Sequence, residues 1–138
     1  RKIEAAISKK SKSDLQSLIP ETFEQKKYLM NLCDMYGDRN ILEKAKEDFS
    51  YIDNVSDYLE NIDFIAEEIV KDRDLEIHID LGEIQGFKYH NGIVFSAYSG
   101  KAGYVLAKGG RYDGLRKSSD KDRPAVGFDL DLIAVSNL

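Results

Sequence analysis

The sequence predicts an α+β fold, with helices first and an antiparallel sheet after them. Apolar residues recur at three- and four-residue spacing up to about residue 71. At Leu75 the period changes to two. Beyond it, the apolar runs on either side of Ser99–Gly103 are joined by a connection too short for a parallel crossover, so those two strands must run antiparallel.

Residues 1–18 read as two short helical pieces, the first with Ile3, Ala6 and Ile7 on one face. Ser13-Asp14 is the expected N-cap of the second, which ends near Leu18. Pro20 has no amide proton and interrupts the run. A helix is expected over about 21–36, with Phe23, Met30 and Cys33 on one stripe and Leu29, Leu32 and Tyr36 beside it; Gly37 is its expected stop. A shorter helix over 40–49 carries Ile41, Leu42, Ala45 and Phe49.

Asn54 or Ser56 then caps the strongest helix, about 55–71, whose apolar stripe is Val55, Tyr58, Leu59, Ile62, Ile65, Ala66 and Ile69. Its acidic residues Asp57, Glu60, Asp63, Glu67 and Glu68 read as a solvated face, with a docking surface for a basic partner as the lesser reading.

Residues 75–81 read as a half-buried strand, with His78 and Asp80 on its wet face; the alternative is an acid–base pair. A second strand runs from 88 or 89 to 97 or 98, Ser99 to Gly103 make a hairpin turn, and the chain returns over 104–108. Gly109-Gly110 is expected to be a corner, followed by Arg111, Tyr112 and Asp113. Residues 115–123 read as a loop, 124–130 as the last strand and 131–138 as the start of a helix. The length of 138 residues suits one domain, helical over 1–73 and sheet over 74–138. The start at Arg1 without a cap suggests a piece of a longer protein.

Composition narrows the function. The net charge of −5 leaves no basic excess for DNA binding. Cys33 is the sole cysteine, so no intrachain disulfide is available. Cys33, His78 and His90 lack metal-ligand spacing. No apolar run nears the roughly 20 residues a membrane helix needs, and no secretory signal is visible; a cytoplasmic location is expected. Tyr89, His90, Tyr98, Tyr104 and Tyr112 offer aromatic surface with polar tips beside the glycines, which suits a small polar ligand. No cofactor, metal or catalytic set can be assigned. The ring of Tyr112 is expected to face the same cavity as Tyr89 or His90.

These residues also carry a resemblance. QGFKYHNGIVFS (85–96), GGRYDGL (109–115) and GFDLDLIAV (127–135) resemble consecutive motifs of the class II histidyl-tRNA synthetase catalytic core. The resemblance is specific over about 80–131 and only positional over the helical half. It implies a histidine-like pocket at Tyr89, His90, Gly109, Gly110, Arg111 and Tyr112. It also implies departures from an enzyme: the synthetase catalytic arginine falls on Gln85, a pocket tyrosine on His90, and the motif-3 arginine within Ile133-Ala134-Val135. A neutral amide and an alanine cannot stabilise developing phosphate charge.

YHNGIVFSAY and RPAVGFDLDL are similar to a non-aminoacylating branch of that family, the regulatory subunits of ATP phosphoribosyltransferase. That resemblance implies a non-catalytic subunit of a hetero-oligomer with the short-form catalytic subunit, and histidine as a candidate ligand. It also implies a part in the first step of histidine biosynthesis. The alternative is a fragment of an authentic histidyl-tRNA synthetase.

Overall fold

In a computed structural model the described residues are 2–71, 74–84, 92–100, 103–113 and 124–138. The chain divides into two units, Arg1–Ile84 and Gln85–Leu138.

The first unit is built from helices α1 (Lys2–Ser8), α2 (Lys12–Leu18), α3 (Lys26–Leu32), α4 (Ile41–Asp48) and α5 (Val55–Val70), with a two-stranded antiparallel sheet of β1 (Tyr36–Gly37) and β2 (Ile79–Asp80). Two buried clusters hold it together. Ala6, Ile7, Leu15, Ile19 and Cys33 form one, between α1, α2 and α3. Met35, Leu42, Ala45, Phe49, Leu59, Ala66 and Ile79 form the other, beneath α4 and α5. The partly buried Leu32 packs against both. Leu15, Met35 and Leu42 are the largest side chains with no appreciable exposure; each contributes about 1.5–3 kcal/mol by leaving water.

Several boundaries differ from the sequence expectation. Helix α2 is capped by Ser11, whose hydroxyl accepts the Asp14 amide at 3.3 Å, and not by Ser13-Asp14. The helix expected over 21–36 shrinks to α3. The Lys26 ammonium turns back to donate to the carbonyls of Ile19 (2.7 Å) and Gln16 (3.2 Å) and pairs with Glu21 (2.7 Å). Lys26 thereby satisfies orphan carbonyls at the end of α2 and sets the start of α3. Phe23, expected on the buried stripe, is exposed. Past Leu32 the chain turns, drops Met35 into the core and runs extended, so Tyr36 and Gly37 belong to a strand. Gly37 is no helix stop; its φ of 150° lies where side-chain-bearing residues rarely sit.

Neither Asn54 nor Ser56 caps α5 through a side chain: Asn54 is the cap residue, in the left-handed region at φ 61°, and makes no such bond. The buried stripe of α5 is narrower than its sequence suggests. Leu59 and Ala66 are buried, whereas Tyr58 and Ile65 are exposed. The strand expected over 75–81 pairs only at Ile79–Asp80, because β1 offers just Tyr36 and Gly37 as partners. The Asp80 carboxylate is taken by the Lys10 ammonium and by the Gly82 amide at 2.8 Å. His78 instead stands beside the Tyr36 ring, centroids 6.2 Å apart.

The second unit is a three-stranded antiparallel sheet in the order β3 (Val94–Tyr98), β4 (Val105–Asp113), β5 (Pro124–Leu130), followed by α6 (Leu132–Ser136). The hairpin between β3 and β4 closes with the Gly103 amide donating to the Ser99 carbonyl at 3.2 Å, and Gly103 takes the left-handed φ of 67° that the turn requires. The expected strand start at 88 or 89 and the loop at 115–123 lie outside the described residues. Helices followed by antiparallel strands make this an α+β chain, as expected.

Candidate functional site

Strand β4 carries the glycine-rich motif, and here the structure corrects the sequence. Gly109-Gly110 is not a corner: both glycines lie inside β4, hydrogen-bonded to strands on either side. Gly109 stands opposite Phe95 on β3 and Phe128 on β5. A Cβ there would lie 2.6 Å from Phe95 Cζ, 2.6 Å from Phe128 Cβ and 2.5 Å from the Gly127 carbonyl oxygen. Only glycine lets the strands and two phenylalanines close to this distance.

Successive residues of a strand point to opposite faces. Gly110 and Tyr112 therefore share one face of β4, with Gly109 and Arg111 on the other. On the first face Gly110 pairs with Gly127, so two adjoining positions of the sheet have no side chain. The half-buried Tyr112 leans across this gap: a Cβ at Gly127 would meet Tyr112 Cε1 and the phenolic oxygen, each at 3.2 Å. The ring covers the glycine pair, so that Gly110 is buried and Gly127 half-buried, and the hydroxyl is its polar tip. A ring with a polar tip seated in this way offers a small ligand a stacking surface and one hydroxyl.

On the opposite face the Arg111 side chain lies against Gly92, where a Cβ would stand 3.0 Å from Arg111 Cβ. Its Nε donates to Asp113 at 3.1 Å, and its amide donates to the Ile93 carbonyl at 2.9 Å. Arg111 thus braces β4 against the start of β3. Phe95, Val126, Phe128 and Leu130 leave this same face apolar and exposed.

Asp131 caps α6, its carboxylate accepting the Ala134 amide at 2.9 Å. Ala134, where the resemblance sets a synthetase arginine, is only 4% exposed. Gln85, Tyr89 and His90 lie outside the described residues, so the expected facing of Tyr112 with Tyr89 or His90 does too. Gly127 belongs to the motif GFDLDLIAV but lies outside the residues the resemblance implies for the pocket. Its signal was present: a glycine inside a strand pattern often marks close approach by another group.

Helices followed by antiparallel strands in this order match a histidyl-tRNA synthetase-like class II core. The chain belongs to the histidyl-tRNA synthetase family, whose model matches residues 1–135. Within it, similar proteins are ATP phosphoribosyltransferase regulatory subunits. That of Nitrosomonas eutropha is 36% identical over 110 residues, covering 80% of this chain and 28% of the relative. That of Nitrosospira multiformis is 31% identical over 141 residues, covering 99% and 36%. A crystal structure of an ATP phosphoribosyltransferase regulatory subunit/histidyl-tRNA synthetase from Bacillus halodurans superposes with a TM-score of 0.75 at 25% identity, covering 97% of this chain and 37% of that one. The chain thus spans about a third of the length of these relatives.

Proposed function

We propose that the protein is a regulatory subunit of ATP phosphoribosyltransferase. In this reading it has no aminoacylation activity of its own. It assembles in the cytoplasm with the short-form catalytic subunit, which joins ATP to phosphoribosyl pyrophosphate, and is required both for that activity and for its inhibition by histidine. Neither DNA nor membrane is a partner. The observation that carries the proposal is the similarity to regulatory subunits along nearly the whole chain, 31% identity over 99% of it in one case.

The geometry supports the non-catalytic part. Ala134 sits buried in the first turns of α6, and an arginine there would have to bring a guanidinium into space now filled by packing. With Gln85 as the other substituted position, the cationic grip on ATP is gone. The amino-acid cradle is retained: we assign it to Tyr89, His90, Gly109, Gly110, Arg111 and Tyr112. Tyr112 supplies its ring and hydroxyl, seated over the buried Gly110; Gly109 and Arg111 hold β4 in place from the other face.

Two assays test the proposal on the intact protein. Phosphoribosyltransferase activity of a short-form catalytic subunit is measured with and without it; strong activation that histidine reverses is expected. Histidine-dependent ATP–pyrophosphate exchange is measured in parallel, and none is expected. The second reading, a histidyl-tRNA synthetase catalytic domain, is favoured by the description of the matching family. Clear exchange would establish it and remove the first.

A further inference from the structure

Gly127 has no side chain, yet it governs where a neighbouring one lies. It pairs with Gly110 across β4 and β5, two residue pairs from Tyr112–Ala125, with Arg111–Val126 between them. The three heavy atoms nearest a Cβ built at Gly127 all belong to one ring: Tyr112 Cε1 at 3.2 Å, the phenolic oxygen at 3.2 Å and Cζ at 3.7 Å. Carbon atoms in good contact stand about 3.5–4.0 Å apart. A methyl group at 127 would therefore push the ring outward by a few tenths of an ångström. The contrast with Gly109 matters, because a Cβ there meets the Gly127 carbonyl oxygen and Phe128 Cβ, which move only with β5 itself. At Gly127 the sheet can stay as it is and the ring alone must yield.

We infer that Gly127 is a positioning residue for Tyr112. It keeps open the seat in which the ring lies across the Gly110–Gly127 pair, and so sets the place where the ring and its hydroxyl meet an amino-acid ligand. This rests on the pocket reading above and extends it to a residue that acts through another. A purely structural role for the ring, covering two glycines to strengthen the sheet, makes a different prediction: loss of the seat would then cost stability and leave ligand recognition alone.

The test uses the intact protein and the Gly127→Ala variant, with Tyr112→Leu to assign resonances. Histidine is titrated calorimetrically into wild type and Gly127→Ala, and the urea midpoint is measured for both. Tyrosine ring resonances are followed in protein carrying carbon-13-labelled tyrosine. The Tyr112 resonances are expected to shift in Gly127→Ala, the urea midpoint to stay near wild type, and histidine affinity to fall roughly tenfold, as the loss of one modest contact produces. Unmoved Tyr112 resonances, or unchanged affinity in a variant of a histidine-binding wild type, overturn this inference alone. A sharp fall in the urea midpoint also overturns it, in favour of the structural role. A wild type that binds no histidine removes the pocket reading, and this inference with it.

Discussion

Replacing Gly109 with alanine is the most direct probe of how β4 is held. The added methyl would lie 2.5 Å from the Gly127 carbonyl oxygen, 2.6 Å from Phe128 Cβ and 2.6 Å from Phe95 Cζ. Against ordinary contact distances of about 3.5–4.0 Å these are overlaps of roughly 1 Å. Phe95 can swing its half-exposed ring away, but the other two atoms are fixed to β5. The variant must therefore draw β5 away from β4 and weaken a ladder that runs from Ala107–Leu130 to Asp113–Pro124. Overpacking of this kind costs about 1–3 kcal/mol, and two backbone-bound contacts place Gly109→Ala toward the upper end. With a urea dependence of about 1–3 kcal/mol per molar, the midpoint should fall by about 1 M. Circular dichroism during urea titration measures it. Gly100→Ala is the control: a Cβ there meets nothing within 4 Å, so its midpoint should stay level or rise slightly. A Gly109→Ala midpoint equal to that of Gly100→Ala would refute the packing argument.

Three further outcomes are expected. Lys26→Met strips the Ile19 and Gln16 carbonyls of their charged donor and should destabilise the protein by about 1–3 kcal/mol, read from thermal unfolding. Arg39 bonds both Asp63 and Glu67, and its guanidinium holds the Asp63 carboxyl below the usual carboxylate range. A lowered carboxyl stabilises the fold above its unfolded value, roughly pH 3.9, and that contribution is lost as pH falls through the folded one. The small difference between wild type and Arg39→Gln should therefore vanish in acid and shrink in high salt, as unfolding midpoints taken across pH and salt will show. Burial pushes the Cys33 thiol up, and the residue is 2% exposed. Its alkylation in the native state should be far slower than in urea, and equal rates would mean that the cluster around it is open.

The helices were legible where their apolar period met no competing bond. Residues 41–48 and 55–70 emerged nearly as their patterns suggest. The stretch over 21–36 was misread because its boundary is set by Lys26, whose side chain reaches back to α2, and propensity carries no trace of that. The Ser11 cap was readable: Ser11-Lys12-Ser13-Asp14 has the spacing of a side-chain cap three residues ahead of its acid. Strand β1 was invisible because a two-residue bridge has no period. The apolar runs of the second half foretell β3 and β5, but the glycine pair reads as a bend. Glycines mark turns in most sequences; here they mark crowding by Phe95 and Phe128, which only the register reveals. At the site, the motif named Gly110, Arg111 and Tyr112 together, and the pleat then sets Arg111 apart from the other two.

Leu32 packs against both buried clusters of the helical unit. A side chain shared in this way makes the clusters thermodynamically dependent, since neither can expose its interior without stripping contacts from the other. Deuterium uptake at protected amides of α1 and α5 should then follow a common opening, and Leu32→Ala should split it into two. The helical unit would answer a disturbance at either end as a single cooperative block.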